Sequence, residues 1–444
     1  MTGRKGWLVG FWIALLLMVA ACGSQGMNMP QSPLLSSLER KSGLIAYVGV
    51  DGNIYTINQA GGDKVSITQD ATLQVEDAGI QLSYFLPTWS PDAKQLAFIR
   101  AIANEDGTPM SSALYTSSMG EDDLVEIFSS PRYFPFYANW SPDGEQLGFL
   151  TIGLGSNKYA LMVAPSIGGD VTVVDVGYPY YWTWSPADLS ILAHVGGPPV
   201  ENPEQARISR LTLNDPVSEV GLGLAPAFFQ APAYSPDGRF AVLATDRVGG
   251  GQSLVVTDSS GRVQSEITSL EGIVAFDWSP KGDRLAYVES LNPSRLEPGS
   301  LHLVSLENPS NPQTIEIEAH DVIGFFWSPD GNWIAYFEPV LMSAGPEEEG
   351  GEAVTVEMFN LHVANAETGM TQRIAAFQPT TELMQIIPLY DQFQRSATIW
   401  SPDGNYLVLS ALTEVGPSIF IVPSSGAYAP RFLTEGRLAF WSWK

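Results

Sequence analysis

A short aromatic-Ser-Pro phrase recurs along the 444-residue chain, and its spacing limits the possible folds more than any other feature. The seven copies begin at Trp89, Trp140, Trp184, Tyr234, Trp278, Trp327 and Trp400, and most continue with Asp or Asp-Gly. Successive copies are 51, 44, 50, 44, 49 and 73 residues apart. A period of about 40–50 residues with strand-like content is typical of a β-propeller.

The residues around each phrase predict four strands per repeat. One apolar strand leads into the phrase, a second follows it, and a third and fourth flank a Gly-rich hairpin such as Gly168-Gly169-Asp170. Within Ser-Pro-Asp-Gly, Pro presets φ, Asp accepts hydrogen bonds from nearby amides, and Gly accepts a positive φ. Because nearly the same turn recurs seven times, we expect its Asp residues to be structural rather than catalytic.

These residues resemble the WSPDG repeats of TolB-like, WD-related β-propellers, from Gly43 to Lys444. The resemblance implies the fold and says little about function. TolB proteins carry an additional N-terminal α/β domain, whereas we expect only a short tether to precede this propeller. The resemblance therefore does not carry over the TolB role in cell-envelope transport.

The two ends of the domain predict how the ring closes. Residues 43–48 form a strand pattern with no phrase before it, and residues 437–443 form a phrase-like strand with nothing after it. The sequence therefore predicts an all-β propeller of eight four-stranded blades, closed by one C-terminal strand that joins three N-terminal strands. Seven blades stay open as an alternative, because the repeat at Tyr234 lacks Trp.

The N-terminus indicates export and lipidation. Arg4 and Lys5 precede an apolar run that is too short for a comfortable membrane span and ends in Val-Ala-Ala-Cys22. This pattern resembles a bacterial lipobox, which implies a diacylglyceryl group on the Cys22 thiol and cleavage before it, with an added acyl chain such as palmitate. We predict a signal peptide at 1–21, a lipidated Cys22 and tether at 22–42, and the propeller at 43–444. The alternative is a simple secretory peptide with an incidental cysteine.

Composition narrows the class of partner. Hydrophobic residues make up 45% of the chain and can form a large core, while the net charge is −26. Such a surface is a poor partner for nucleic acid and for direct contact with an anionic membrane. We predict no cofactor and no metal site, because only His320 of the four histidines could approach the channel.

The long connections are predicted on one face. Loops between blades, and loops joining second and third strands, share what we call the loop face; the Ser-Pro-Asp turns and Gly hairpins form the turn face. The segment 379–395 carries Met384, Tyr390, Asp391, Phe393 and Arg395, which we predict as binding residues. The alternative is that this segment folds over the channel mouth and buries them.

The function predicted from these features is a membrane-anchored, extracytoplasmic, monomeric module that binds an envelope protein or peptide through its loop face. A non-catalytic role is favoured because the chain has no Gly-x-Ser-x-Gly nucleophile elbow. The alternative is a hydrolase or lyase that acts on glycans or peptides in the central channel, using carboxylates such as Asp321 or Asp391. A plugged, apolar channel would argue against that alternative.

Overall fold

The computed structural model describes residues 42–73, 79–120, 123–197, 206–228, 230–246, 250–291, 297–344 and 354–444. The predicted signal peptide, Cys22 and nearly all of the tether therefore lie outside the described residues. Within the described part, thirty-one strands form antiparallel sheets that correspond to eight propeller blades.

The first four blades each contain four strands, ordered from the innermost to the outermost. Blade 1 contains β31 (Leu438–Trp441), β1 (Ile45–Val48), β2 (Ile54–Ile57) and β3 (Val65–Ser66); blade 2 contains β4 (Ile80–Trp89), β5 (Gln95–Asn104), β6 (Pro109–Ser118) and β7 (Leu124–Ser130); blade 3 contains β8 (Tyr133–Trp140), β9 (Gln146–Gly153), β10 (Tyr159–Pro165) and β11 (Thr172–Gly177); blade 4 contains β12 (Tyr180–Trp184), β13 (Ile191–Val195), β14 (Arg207–Thr212) and β15 (Ser218–Gly221).

The remaining blades follow the same order. Blade 5 contains β16 (Ala233–Tyr234), β17 (Phe240–Asp246), β18 (Gln252–Asp258) and β19 (Val263–Leu270); blade 6 contains β20 (Ile273–Trp278), β21 (Arg284–Ser290), β22 (Ser300–Ser305) and β23 (Gln313–Ile315); blade 7 contains β24 (Gly324–Trp327), β25 (Trp333–Ala344), β26 (Val354–Asn365) and β27 (Thr371–Pro379); blade 8 contains β28 (Tyr406–Thr413), β29 (Gly416–Pro423) and β30 (Arg431–Glu435).

Blade 8 departs from the predicted four strands. Its innermost segment is reduced to single bridges, Trp400 with Leu407 and Thr398 with Trp441. The end of β27 pairs with β28 at Pro379 and Ala411, which joins blades 7 and 8 into one seven-stranded sheet. The innermost strand is short because the chain between Pro379 and Thr398 leaves the blade and enters the centre of the ring.

Ring closure is as predicted. β31 pairs antiparallel with β1, in a register that sets Ile45 opposite Trp441 and Val48 opposite Leu438. The first blade is thus built from one C-terminal and three N-terminal strands. This pairing leaves neither end of the strand array as an open edge, which also limits edge-to-edge aggregation.

The Ser-Pro-Asp turns are held by hydrogen bonds within each turn. The Ser90 hydroxyl donates to Asp92 over 2.8 Å and accepts from the Gln95 amide over 2.9 Å, while the Lys94 amide donates to Asp92 over 3.1 Å. Matching bonds recur in the turns of blades 3, 5, 7 and 8. These Asp side chains serve the turn, as expected from the repetition.

The phrase tryptophans join neighbouring blades. The indole of Trp140 donates to the carbonyl of Thr88, one residue before the phrase of the preceding blade, over 3.1 Å. The indoles of Trp184, Trp278, Trp327 and Trp400 make the equivalent bond to their own preceding blade. The hydrophobic core fills the wedges between blades, so each indole combines apolar burial with one directional bond.

We expect the inter-blade bond to be measurable with two matched substitutions. Trp140→Phe removes the donor to the Thr88 carbonyl, whereas the indole nitrogen of Trp89, in the equivalent position, is buried without a partner. Trp140→Phe should therefore destabilise the protein by about 1–2 kcal/mol more than Trp89→Phe. Urea unfolding midpoints measure the difference, and equal midpoints would contradict the assigned role of the bond.

Candidate functional site

The long segment after β27 is folded into the centre of the ring. It forms helix α1 (Thr381–Ile386), a 3-10 turn (Ile387–Leu389) and helix α2 (Tyr390–Phe393), and we call residues 379–397 the axial plug. The Thr380 side chain caps α1 by accepting from the Leu383 amide over 3.3 Å. Leu383, Ile386 and Ile387 recur at helical spacing and are buried, which explains why this sequence is helical within a β protein.

Tyr390 fixes the plug to blades 6 and 7. Its hydroxyl donates to the Ala275 carbonyl on β20 over 3.0 Å. Its ring lies 4.8 Å from that of Phe325 on β24, measured between centroids. Gly324 permits this approach, because a Cβ there would come within 2.9 Å of the Tyr390 ring.

Gln392 and Asp391 fix the plug to blades 3, 4 and 5. The Gln392 amide donates to the Tyr137 hydroxyl over 2.9 Å and to the Trp182 carbonyl over 3.2 Å, and its oxygen accepts from the Trp182 amide. Burial raises the pKa of Tyr137 to about 12, so its hydroxyl stays protonated and donates to the Gln392 carbonyl. Asp391 accepts from the Ala231 amide, just before β16, over 3.0 Å.

The ends of the plug reach the other blades. The Thr380 amide donates to Ser410 in blade 8 over 3.2 Å, and its hydroxyl donates to the Arg437 carbonyl beside β31 over 2.6 Å. The Thr88 hydroxyl of blade 2 donates to the Ser396 carbonyl. The axial plug is therefore tied to the innermost region of all eight blades.

The axial plug holds the predicted binding residues largely inside the ring. Tyr390 and Asp391 are 2% and 0% exposed, so they are not surface anchors as expected; they are buried because α2 turns them toward the blades. Met384 and Phe393 are partly buried and pack against the core. Arg395 lies at the opposite end of the channel from the loop face. The arrangement matches the alternative in which the segment folds over the channel.

The middle strands of blades 2 and 7 are longer than those of the other blades. β5 and β6 continue through 101–104 and 109–111, and β25 runs on to Ala344. His320 also differs from expectation: it is exposed, near Ser300 at the edge of the loop face, and does not reach the channel. In the described residues, no group of three or more His, Cys, Asp or Glu side chains is placed to hold a metal ion.

A pocket of about 350 Å³ opens on the loop face between the plug and blades 1, 2 and 3. Its walls are mainly apolar and include Leu86, Phe136 and Phe393, while Glu382 and Arg437 supply charge at 3.4 Å from each other. Leu86 has φ 52° at an irregularity in the pairing of β4 with β5, a strained conformation for a branched residue. Apolar walls with a few polar groups are typical of ligand and side-chain pockets.

An aromatic ridge leads from this pocket to the rim of blade 3; we define it as Tyr133, Phe136, Tyr159 and Tyr178. Phe136 lines the pocket, its ring centroid is 4.9 Å from that of Tyr159, and Tyr159 is 5.1 Å from Tyr178. Tyr133 and Tyr178 are 46% and 47% exposed. Exposed tyrosines beside an apolar pocket have the composition of protein-binding surfaces.

A second pocket, of about 460 Å³, opens on the turn face, and we call it the turn-face funnel. Its rim is formed by phrase residues of blades 2 to 6, chiefly Pro91, Trp89, Pro142, Trp140, Pro186, Trp184, Pro236, Tyr234, Pro280 and Trp278. Asn139, Thr183, Asp277 and Arg395 also line it. Burial raises the pKa of Asp277 to about 6, although nearby Arg395 lowers it.

Sequence reasoning missed the residues that line the funnel. Asn139, Thr183 and Asp277 each stand immediately before the aromatic residue of a phrase. Side chains alternate along a strand, so when the aromatic residue turns into the blade interface, its predecessor turns the other way, toward the axis. The residue before each phrase could therefore have been predicted from the repeat to face the channel.

The chain has limited sequence similarity to known proteins. No family model matches the chain. An uncharacterized protein of Agrobacterium fabrum strain C58 is 28% identical over 211 residues, which are 46% of this chain. The chain spans 64% of the length of that relative.

Similar solved structures are propellers with low sequence identity. A putative TolB from Agrobacterium tumefaciens is 16% identical, covering 82% of this chain and 96% of its own, with a TM-score of 0.38. An oligogalacturonate lyase in complex with manganese is 15% identical, covering 90% and 98%, with a TM-score of 0.45. The β-propeller domain of the Trilobed protease from Pyrococcus furiosus is 12% identical, covering 75% and 91%, with a TM-score of 0.40. The likeness concerns the fold alone.

The role of the plug can be tested with two glutamines of the same segment. Gln392→Leu removes bonds to Tyr137 and Trp182 and should destabilise the protein by about 3 kcal/mol. Gln394→Leu is the control, because the side-chain nitrogen of Gln394 is buried without a partner, and it should change stability by less than about 1 kcal/mol. Thermal and urea unfolding measure both. Equal effects would show that these bonds do not hold the plug.

Proposed function

We propose that this protein is a non-catalytic binding module that recognises an envelope protein or peptide through its loop face. The observation that carries the proposal is the aromatic ridge, which runs without interruption from exposed Tyr178 to the pocket wall at Phe136. A partner can lie along the ridge and insert one apolar side chain into the pocket. The Glu382–Arg437 pair at that pocket gives the partner polar groups to match.

The axial plug supports this use of the loop face, because it gives the pocket a firm floor. Phe393 packs edge-on against Tyr137, with ring centroids 5.3 Å apart, and both are anchored through Gln392 and its neighbours. A binding surface on a rigid scaffold loses less conformational entropy when a partner binds. Tyr390 and Gln392 thus act behind the surface, while Glu382 and Phe393 form part of the pocket wall.

The placement of the carboxylates favours binding over the enzymatic alternative. A glycosidase-like mechanism uses two carboxyl groups about 5–10 Å apart on either side of the substrate. Asp391 is fully buried in the plug and bonded to the Ala231 amide, while Asp321 is exposed at the edge of the loop face, in the connection after β23. The plug also occupies axial space that a substrate would need.

We also propose that a lipid on Cys22 anchors the propeller outside the cytoplasm with its loop face away from the membrane. The described chain begins beside the turn face, where the Leu44 amide donates to the Ser442 hydroxyl over 2.9 Å. Ser442 follows Trp441 just as Ser follows the aromatic residue in each phrase. No helix of the described residues is long and apolar enough to cross the bilayer.

Photo-crosslinking in intact cells tests the binding face. A photoreactive phenylalanine analogue replaces Tyr133 or Tyr178 on the loop face, and Ile167 or Tyr428, exposed on the turn face, as matched controls. We expect one envelope protein or peptide to be linked at the first pair and not at the second, since only the first pair belongs to the aromatic ridge on the loop face. Equal crosslinking from both pairs, or none from the first, would contradict the proposal.

Anchoring is tested separately with Cys22→Ser. In wild type, radiolabelled palmitate should be incorporated and the protein should sediment with membranes, because two or more acyl chains hold a protein stably in a bilayer. The variant should incorporate no label and lose the membrane association. Label that persists in Cys22→Ser would place the modification elsewhere and overturn this part of the proposal.

A further inference from the structure

The floor of the turn-face funnel is lined by polar side chains. Asn139 and Thr183 are 6% and 7% exposed, yet their side chains form no hydrogen bond within the described chain. The polar atoms of both side chains are not fully enclosed by protein, so both are open to the funnel. Buried polar groups are normally satisfied, so unpaired ones that line a pocket point to a missing partner.

The charged groups in the funnel are also incompletely paired. Arg395 Nη2 lies 3.7 Å from Asp277 Oδ1, which is too long for a hydrogen bond, although the Arg395 side chain is nine-tenths buried. Nη2 has no hydrogen-bond partner in the described structure, while Nη1 donates to the Pro232 carbonyl. Asp277 Oδ1 accepts from the Trp278 amide, and Oδ2 has no partner within the described residues.

Ionised Asp277 only accepts hydrogen bonds, Arg395 only donates, and the Asn139 amide and the Thr183 hydroxyl can do either. The Asp277 carboxylate suits an ammonium group. The Asn139 N–H and the Thr183 hydroxyl, with the positive charge of Arg395 behind them, suit a carboxylate. Because the two charged residues neutralise each other, the complementary ligand carries one positive and one negative charge.

We propose that the turn-face funnel is a binding site for a small zwitterion, a molecule with an ammonium and a carboxylate group, as in a free amino acid. The ammonium group contacts Asp277, and the carboxylate accepts hydrogen bonds from the Asn139 amide and the Thr183 hydroxyl, with the buried Arg395 guanidinium supplying positive charge behind them. This site is on the opposite face from the proposed partner surface and does not depend on it.

The rim of the funnel favours a zwitterion over a sugar. Sugars stack on exposed faces of aromatic rings, but the funnel indoles of Trp89, Trp140 and Trp278 are almost fully buried in the blade interfaces. Rings that are so deeply buried leave no free face on which a sugar could stack. The volume of about 460 Å³ is sufficient for a small ligand and falls within the range of ligand pockets.

Calorimetric titration of the purified full-length protein in detergent tests the proposal. The probes are the zwitterions glycine, L-alanine and L-proline. The comparison compounds are acetate, which has only the carboxylate, methylammonium, which has only the ammonium group, and glucose, which is uncharged. We expect saturable binding of at least one zwitterion and at least tenfold weaker binding of each comparison compound. Acetate binding as tightly as the zwitterions would indicate a simple anion site at Arg395. Glucose binding would indicate a sugar site. Either result, or the absence of saturable binding, would overturn the proposal.

Variants connect the binding to the funnel floor. Asp277→Asn and Asn139→Ala should each weaken zwitterion binding at least tenfold, whereas Tyr428→Ser, on the turn face but outside the funnel, should leave it unchanged. If Asp277→Asn unfolds, because Arg395 loses its charged neighbour, Asn139→Ala and Thr183→Val still decide the question. Unchanged affinity in the folded variants would place the ligand elsewhere and overturn the proposal.

Discussion

The hydrogen bonds between the axial plug and the innermost strands are the interaction on which the rest of the structure depends. A ring with one cysteine in the whole chain has no internal disulfide to close it, and its ends are joined by the short pairing of β1 with β31 and a few neighbouring hydrogen bonds. Gln392, Tyr390 and Asp391 add buried bonds to four blades at once. Such bonds are strong contributors because breaking one leaves its partner unsatisfied in a dry interior.

The plug also makes the two faces of the ring chemically different. Its N-terminal helix and Phe393 form one wall of the loop-face pocket, while Arg395, two residues later, reaches the turn-face funnel. The ridge beside the first pocket is aromatic and exposed, which suits a macromolecular partner. The funnel is small and polar at its floor, which suits a small charged molecule. With the tether joining at the turn face, a lipid anchor would leave the ridge free.

The repeat could be predicted from sequence because its physics is local. The phrase at Trp140 or Trp400 contains its own turn, strand end and interface residue. The repeat spacing and the strand patterns at the two ends therefore predicted ring closure and eight blades, with seven left open by the repeat at Tyr234. The plug could not be predicted in the same way, since α1 and α2 are too short to be recognised and are helical only because eight blades bury Leu383 and Tyr390. Likewise, the funnel floor depends on Asn139 and Asp277 meeting across blades far apart in sequence.

Hydrogen exchange measured by mass spectrometry tests the account most directly, because it reports whether the plug is held as firmly as the blades. The Met384, Gln394 and Ala397 amides donate within the plug. We predict that peptides covering 383–397 exchange within about tenfold of peptides from β12, since both open only when the ring does. Exchange as fast as that of the exposed hairpin between β28 and β29 would contradict the account, because a loosely held plug could neither join the blades nor support either pocket.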